Sequence, residues 1–490
     1  MRKSRLLASA IFALAAAAPL TALAAAPAAS VSTPVEHPAM VTHHEGVFGG
    51  VRLRYTATVE GLDLAVGRSG ARIVSFAYTR DGADPASRPV IFMFNGGPIS
   101  PSLYAHMGLG PKRVAFPDDI HAPEASYRLV DNAYSPLDAA DLVFFDPAAT
   151  GFSRVKPGTD PKVFYSVKGD AEELAAFVRG WMQAHGRSGP VYLFGESYGT
   201  NRVAETAGVL AEGPEPFKLG GAFLYGQAVN IIEYAQRPAN VVSYVASLPT
   251  LAAIAWYHDR AERKGRTFAQ FTADARAFAK GPYLTALYQG SDLPQAERRP
   301  IAEQLQAFTG ISADWYLAHD LKITKEQDRV ELLRDQNLLL GRSDARYAAP
   351  LTKAGRGPDP ADVLPRTSRA FFARYLRDDL KVGWTEPYLT ESPVNDINGW
   401  TWGDGTSPFA DWPYYLGISR AMKLNPAFRL VVANGWYDTM TTVGAEELLA
   451  AQSGWDRSKV TLRAYDGGHM GYSVEATARA LGDDLRKMVR

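Results

Sequence analysis

Residues 191–199 read Val-Tyr-Leu-Phe-Gly-Glu-Ser-Tyr-Gly, a short apolar run that leads into a serine flanked by glycines. A helical pattern over 201–211 follows almost at once. A strand, a Gly-x-Ser-x-Gly turn and a helix, in this order, form the context in which a nucleophilic serine stands above a sheet. The glycines permit the sharp turn that lifts the hydroxyl clear of the strand. The stretch therefore predicts an α/β fold with Ser197 at the carboxyl end of a central strand.

Short apolar runs recur on both sides of this stretch, at 89–94, 142–145, 222–225, 430–433 and 460–462. Continuous apolar runs of this length are typical of strands that are buried on both faces. Helical patterns separate several of the runs, at 171–183, 201–211, 444–452 and 473–489. This alternation predicts a mostly parallel, doubly wound sheet with helices on both faces.

Two parts of the chain depart from that alternation. Polar and apolar residues alternate over 51–59 and 72–78, which predicts an N-terminal antiparallel hairpin with one wet face. Between 230 and 410, helix-like stretches, aromatics and charges dominate, without a convincing buried strand. We expect a core formed by 46–229 and 411–490, which carries a largely helical insertion, or cap, over 230–410.

The N-terminus predicts an export signal. A basic start at 2–5 precedes a run of mostly alanine and leucine over 6–20, which ends in the small-x-small pattern Ala22-Leu23-Ala24. The run is short for a membrane span, so an uncleaved anchor is only the alternative. We expect removal of 1–24, a flexible leader over 25–45, and a periplasmic or secreted protein with no membrane contact after signal removal.

The amino-acid composition limits which binding partners and which catalytic or metal-binding groups are expected. The 490 residues contain 52 Lys and Arg against 52 Asp and Glu, and no cysteine. Neutrality removes a strong electrostatic case for a nucleic acid or an acidic membrane surface. The lack of cysteine excludes disulfides, thiolate metal sites and a cysteine nucleophile. We expect no metal and no organic cofactor, and we interpret His37, His43 and His44 as solvated imidazoles in or just after a loose tail rather than as metal ligands.

A nucleophilic serine needs a base, and the base needs an orienting carboxylate. In a fold of this kind the serine, the acid and the histidine follow one another along the chain. The last apolar run leads into a diglycine and His469, and the run before it leads to Asp438. We therefore predict Ser197, Asp438 and His469 as a catalytic triad. Two rival acids are weaker, because Asp466 is too near His469 in sequence and Asp404 follows no strand.

A second loop contains the sequence Asn95-Gly96-Gly97-Pro98, directly after the run at 89–94. A diglycine lets the backbone approach a substrate closely. The amide of Gly97 and the amide of Tyr198, at a helix N-terminus, would then form an oxyanion hole. An ordinary strand-to-loop turn is the alternative interpretation of the diglycine.

Together these segments resemble the serine carboxypeptidase family of α/β hydrolases. The shared blocks, in the family's order, are 95–98 with 110–111, 142–147 with 150–153, 195–199, and Asp438 with 468–470. The resemblance spans roughly 50–226 and 400–475 and does not include the insertion. It implies an α/β-hydrolase fold and release of C-terminal residues from peptides, often best at acidic pH. The style of the N-terminal signal indicates a bacterial exported member.

The resemblance also implies a hydrogen-bonded cluster of an asparagine and two glutamates that binds the substrate's free carboxylate. Asn95 and Glu196 occupy two of these places, and Gly108 stands where the second glutamate is expected. A protonated carboxyl can donate to a carboxylate, and buried acids close together hold a proton to higher pH. Met470, beside the histidine, is a candidate for lining the leaving-residue site, with a packing role as the alternative.

The resulting hypothesis is a secreted serine-type carboxypeptidase that acts on peptides with a free C-terminus through an acyl-enzyme. Gly108 favours one alternative, an esterase or acyltransferase that uses the same triad. A second alternative is a binding protein on a hydrolase scaffold without turnover, against which the complete triad argues.

Overall fold

The computed structural model describes residues 36–67, 69–352, 358–394, 396–405, 407 and 410–490. The predicted signal peptide, 1–24, and residues 25–35 of the predicted leader lie outside the described residues. Where the structure describes the chain, no helix is both long and apolar enough to pass through a membrane.

The strands include every apolar run on which the fold prediction rests. They are β1 Met40–Phe48, β2 Val51–Val66, β3 Ser69–Arg80, β4 Val90–Phe94, β5 Lys112–Ala115, β6 Arg128–Asp131, β7 Asp141–Phe145, β8 Arg154–Val155, β9 Val191–Glu196, β10 Leu219–Tyr225, β11 Leu338–Leu340, β12 Ala348–Pro350, β13 Arg429–Gly435 and β14 Val460–Tyr465. All residues of β4, β7 and β9 are buried, as expected for strands covered on both faces.

The large sheet has the strand order β1-β2-β3-β7-β4-β9-β10-β13-β14, and β8 pairs with β3. From β7 onward, each pair of neighbours in this order is parallel. At the other end, β1, β2, β3 and β7 pair in antiparallel fashion. The predicted α/β-hydrolase fold, a mostly parallel sheet with an N-terminal antiparallel hairpin, is therefore confirmed. The carboxyl ends of β4, β9, β10, β13 and β14 meet at one edge, where loops can assemble a site.

The helices alternate with these strands or lie in the insertion, and several of them begin at a side-chain cap. They are α1 Leu103–Leu109, α2 Val167–Ala184, α3 Gly199–Glu212, α4 Ile231–Tyr234, α5 Val241–Tyr257, α6 Phe268–Phe278, α7 Leu284–Gln289, α8 Gln295–Thr309, α9 Ala313–Ala318, α10 Lys325–Glu331, α11 Val363–Asp378, α12 Tyr415–Leu424, α13 Val443–Gln452 and α14 Glu475–Val489. Ser166 caps α2, and Thr267 and Thr324 form capping boxes at α6 and α10.

Helices cover both faces of the sheet. On one face, α2, α3 and α12 pack in an apolar cluster that contains Trp181 and Val203. On the other face, α1, α11 and α14 pack in a cluster that contains Leu103, Phe372 and Leu481. This two-sided burial fixes the strand ends, and with them the loops that lead from the sheet into α1 and α3.

The insertion is largely helical, but its halves pack differently. Helices α5 to α9 and the residues that follow them enclose an apolar core of their own, with Leu251, Phe271 and Leu305 at its centre. Helix α11, by contrast, buries Phe372 and Tyr375 in the core of the sheet. The short hairpin β11-β12 was not expected, because three-residue strands leave no readable period in a sequence.

Strand β1 begins at Met40, inside the segment expected to be a flexible leader. Just before it, His37 stacks on Trp384 with ring centroids 4.6 Å apart, and its Nε2 lies 2.6 Å from Oε1 of Glu386. The interpretation of His37 as a solvated imidazole in a loose tail is therefore wrong. Strand β1 could not be recognised in the sequence, because only its last residue, Phe48, is buried. A strand that buries so little has no clear alternation of apolar and polar residues.

Candidate active site

Ser197 lies at the end of β9 on a tight turn, the nucleophile elbow (residues 195–199). Its φ is +61°, in the left-handed region that costs a non-glycine residue free energy. Its amide donates to the carbonyl of Tyr225 on the neighbouring strand, at 2.9 Å. A β-carbon on Gly195 would collide with the carbonyl of Gly199, which explains why glycine is needed at this position. The sharp strand-to-helix turn predicted from the sequence is therefore present.

Asp438 and His469 come together as predicted, from the loops that follow β13 and β14. The Nδ1 of His469 lies 2.6 Å from Oδ2 of Asp438, and the carboxylate is fully buried. Asp438 also accepts hydrogen bonds from the amide of Met440 and from the hydroxyl of Thr441. A carboxylate can only accept, so Nδ1 carries the proton and Nε2 is left as the base.

The end of β10 brings the imidazole to the elbow. Tyr225, whose carbonyl accepts the hydrogen bond from the Ser197 amide, is followed by Gly226, which has φ +56°. A β-carbon on Gly226 would lie 3.1 Å from Cε1 of His469, so the ring packs directly against this glycine. The adjacent residues Tyr225 and Gly226 thus contact Ser197 and His469, respectively. The rival acids Asp404 and Asp466 are both exposed, away from the buried imidazole.

Two carboxylates, those of Asp438 and Glu196, raise the pKa of His469. Burial lowers the pKa of this imidazole, but the charge and hydrogen bond of Asp438, together with the charge of Glu196, outweigh burial and raise it above its ordinary value. Burial also raises the pKa of Glu196 to about 7, against the His469 charge and the hydrogen bonds from Tyr472 and Asn95. Perturbed groups gathered around a nucleophile are typical of a catalytic site.

The loop over 95–99 packs against the elbow. A β-carbon on Gly96 would collide with the amide nitrogen of Tyr198, so the two backbones touch. Gly97 has φ +113° and Ile99 has φ +56°, and the Gly97-Pro98 peptide is cis. Within the part of the chain that the structure describes, neither the Gly97 amide nor the Tyr198 amide donates to a protein acceptor. Both predicted oxyanion donors are therefore available.

A buried ion pair, which was not predicted from the sequence, is hydrogen-bonded to this loop. Arg202, on the first turns of α3, donates through Nε to both carboxylate oxygens of Asp170 at 2.8 Å. Its Nη1 donates to the carbonyl of Asn95 at 2.7 Å, and both charged side chains are fully buried. One guanidinium thus connects the oxyanion loop, the helix that carries the nucleophile, and α2. The one signal in the sequence was an arginine five residues after Ser197, between the elbow and the apolar residues Val203 and Ala204.

Asn95 and Glu196, the predicted carboxylate-binding pair, lie together. The Asn95 Oδ1 accepts from the amide of Ala105 at 3.0 Å, which turns its NH₂ group toward Glu196. The hydroxyl of Tyr472 donates to Glu196 Oε1 at 3.3 Å. A β-carbon on Gly108 would collide with the Tyr472 ring, so this tyrosine fills the space of the glutamate that the resemblance placed at 108.

Met470, the remaining predicted site residue, follows His469 and is mostly buried in the cluster shared with α1 and α14. Its described contacts are apolar, which is compatible with packing. Tyr472 is therefore the residue of this loop that reaches the acid beside the nucleophile, and the sequence analysis did not single it out.

Comparison with known proteins agrees with this geometry. The family model described as serine carboxypeptidase matches residues 64–244, which confirms the resemblance for this part of the chain. The match and the elbow together support a serine hydrolase. No curated protein matches the chain.

Several solved structures align over most of the chain at low identity. An esterase from Thermogutta terrifontis is 12% identical, with 88% of this chain and 100% of that chain covered and a TM-score of 0.35. The protein VinJ is 13% identical, with 88% and 99% covered and a TM-score of 0.36. A carboxyl esterase from Bacillus coagulans is 12% identical, with 88% and 99% covered and a TM-score of 0.36.

Proposed function

We propose that this protein is a serine-type carboxypeptidase that releases the last residue of peptides through an acyl-enzyme. The observation that carries the proposal is a buried carboxyl, Glu196, directly before Ser197, which accepts a hydrogen bond from Tyr472 through Oε1 while its Oε2 has no partner among the described residues. A carboxyl held partly protonated beside a nucleophile can donate to a substrate carboxylate, which an ordinary esterase site has no need to bind. The serine carboxypeptidase match over 64–244 supports the same function.

The chemistry follows from the geometry. The Ser197 hydroxyl attacks the scissile carbonyl while Nε2 of His469 takes its proton, and Asp438 stabilises the imidazolium that forms. The amides of Gly97 and Tyr198 bind the oxyanion, each contributing about 3 kcal/mol to transition-state binding in comparable sites. His469 then protonates the leaving amine, and water hydrolyses the acyl-enzyme by the same route in reverse. None of these steps requires a metal or an organic cofactor.

The predicted export signal adds a location to the proposal. With 1–24 removed, the protein would act in the periplasm or outside the cell on peptides with a free C-terminus. Neither a nucleic acid nor a membrane is part of the proposal. Detection of the mature N-terminus in a periplasmic or secreted fraction tests this part separately.

An esterase or acyltransferase is the second candidate, and one observation favours it. Gly108 leaves the cluster around Glu196 with one acid instead of two, because the Tyr472 ring occupies the place of the other. A single acid binds a carboxylate less well than a pair that shares a proton. Such an enzyme would hydrolyse esters and would be indifferent to a free C-terminus.

A matched pair of blocked dipeptides separates the two candidates. One peptide has a free C-terminus, the other is amidated, and release of the last residue is followed from about pH 4 to about pH 8. Cleavage of the free acid only, abolished in Ser197→Ala, supports the carboxypeptidase. Equal or absent cleavage of both peptides, with ester turnover that depends on Ser197, supports the esterase. Failure to react with a fluorophosphonate probe would indicate a binding protein without turnover.

A further inference from the structure

The second half of the insertion is attached to the edge of the candidate active site. Leu389 and Gly151 exchange two backbone hydrogen bonds, of 2.8 and 2.9 Å. Three residues further on, the hydroxyl of Ser392 donates to the carbonyl of Pro98 at 3.2 Å. Pro98 belongs to the loop whose Gly97 amide is a predicted oxyanion donor. This part of the insertion is therefore fixed to the machinery of the site.

The same region contributes a positively charged side chain, which contacts α1, the helix that follows the oxyanion loop. Arg369, on α11, donates through Nε to the hydroxyl of Tyr104 at 2.9 Å. Tyr104 lies on α1, next to Ala105, whose amide orients the Asn95 side chain. Burial raises the pKa of Tyr104, Arg369 lowers it, and the charge of Glu196 raises it, which puts the phenol within electrostatic range of both groups. Tyr104 thus connects the guanidinium to the Asn95–Glu196 pair.

The guanidinium of Arg369 is only partly engaged. Its nearest carboxylate among the described residues, Glu391, lies 3.9 Å from Nη1, beyond hydrogen-bond distance. The Glu391 side chain is 84% exposed, so water screens this pair and a ligand can replace it. The Arg369 side chain is itself 39% exposed. A guanidinium that is anchored to Tyr104 on α1 and incompletely paired is ready to accept an anion.

We propose that Arg369 binds the C-terminal carboxylate of the substrate and so determines exopeptidase specificity. The proposal rests on the proposed carboxypeptidase function and gives it a residue from the insertion, which the family resemblance does not include. A guanidinium presents two parallel N–H groups that match the geometry of a carboxylate. Its positive charge supplies what the cluster lost when the Tyr472 ring took the place of an acid at 108. Asn95 and Glu196 then supply the remaining contacts to the carboxylate.

The test compares free-acid and amidated peptides on three variants. In Arg369→Gln we expect KM for the free acid to rise about tenfold to a hundredfold, as for the loss of a charged hydrogen bond, with kcat nearly unchanged. The amidated peptide and a neutral ester should show no change. Arg369→Lys keeps the positive charge but not the two parallel N–H groups. Its KM for the free acid should therefore lie between those of the unchanged protein and of Arg369→Gln. Arg377→Gln, at the exposed end of the same helix, should behave as the unchanged protein.

A binding measurement separates this proposal from the proposed function. An N-blocked amino acid with a free carboxylate, a product analogue, is titrated into the Ser197→Ala protein by calorimetry. The double variant Ser197→Ala/Arg369→Gln should bind the analogue more weakly than Ser197→Ala does, whereas Ser197→Ala/Arg377→Gln should bind it equally well. This result supports the role of Arg369 whatever the substrate class. Equal binding in Ser197→Ala and in its double variant with Arg369→Gln, or a KM effect of the same size on the free acid and on a neutral ester, overturns it. Wild-type protein that cleaves esters but shows no preference for free acids overturns the proposed function instead.

Discussion

The Nδ1 of His469 lies 2.6 Å from Oδ2 of Asp438, with the carboxylate fully buried between the loops that follow β13 and β14. Asp438 also accepts hydrogen bonds from the amides of Met440 and Thr441 and from the hydroxyl of Thr441, so it cannot rotate without breaking four hydrogen bonds at once. This arrangement fixes the tautomer of the imidazole and leaves Nε2 as the base. The catalytic hypothesis depends on that orientation more than on any other contact.

Asp438→Asn tests the orientation directly. The amide would present an NH₂ group to Nδ1 and favour the wrong tautomer, so we expect kcat to fall about 10⁴-fold, with KM changed little. Ester turnover at saturating substrate is the measurement, and Asp466→Asn, at the exposed rival acid, is the control. Equal loss in both variants would contradict the assignment of Asp438.

Glu196→Gln tests the electrostatic coupling at the nucleophile. The Glu196 charge raises the pKa of His469, so neutralising this side chain should lower that pKa. Activity needs the neutral imidazole, and the acid limb of kcat/KM should therefore move to lower pH. A neutral ester substrate keeps carboxylate binding out of the measurement. Glu205→Gln serves as control, since Glu205 is not among the groups that act on His469; an unmoved limb in Glu196→Gln would refute the coupling.

Removal of Arg202 should cost both stability and turnover. Arg202→Met leaves Asp170 buried without its partner, which we expect to destabilise the protein by about 3–5 kcal/mol. Arg202→Met with Asp170→Leu should recover most of this loss in urea unfolding. The double variant still lacks the hydrogen bond to the Asn95 carbonyl, so its kcat should stay low. Full activity in a stable double variant would show that the ion pair has no part in positioning the loop.

Gly108→Glu tests why the second acid is absent. The new side chain would collide with the Tyr472 ring, and we expect a loss of about 1–3 kcal/mol or more, as for an overpacked core. Adding Tyr472→Ala should make room and restore part of the stability. Thermal unfolding of the two variants gives the comparison, with Tyr472→Ala alone as reference. If Gly108→Glu is as stable as the unchanged protein, the tyrosine does not occupy that space.

The sequence was sufficient to predict the sheet and the elbow, because buried parallel strands and a glycine-flanked serine are local patterns. The Asp438–His469 contact could be predicted as well, since both residues follow apolar runs that end at the same edge. Contacts between distant segments could not be predicted. Nothing in the sequence pairs Arg202 with Asp170, or Gly108 with Tyr472, because such pairs depend on how helices pack.

The insertion shows the same limit. Its composition predicted helices, yet not that α11 would pack on the core of the sheet while α5 to α9 enclose a separate one. Amphipathic helices reveal that they have an apolar face but not which surface that face meets. The role inferred for Arg369 depends on this packing and had no signal in the sequence.

The separate core of α5 to α9 has an evolutionary consequence. Because α6 to α9 bury their apolar side chains largely among themselves and against α5, substitutions, insertions or deletions within α6 to α9 leave the packing of the sheet largely unaffected. The segment from α11 to Ser392 has no such freedom, since it is bonded to Gly151 and Pro98. Among relatives, the first half of the insertion should therefore vary in length and sequence much faster than the second, and new substrate preferences should arise there without changes in the triad.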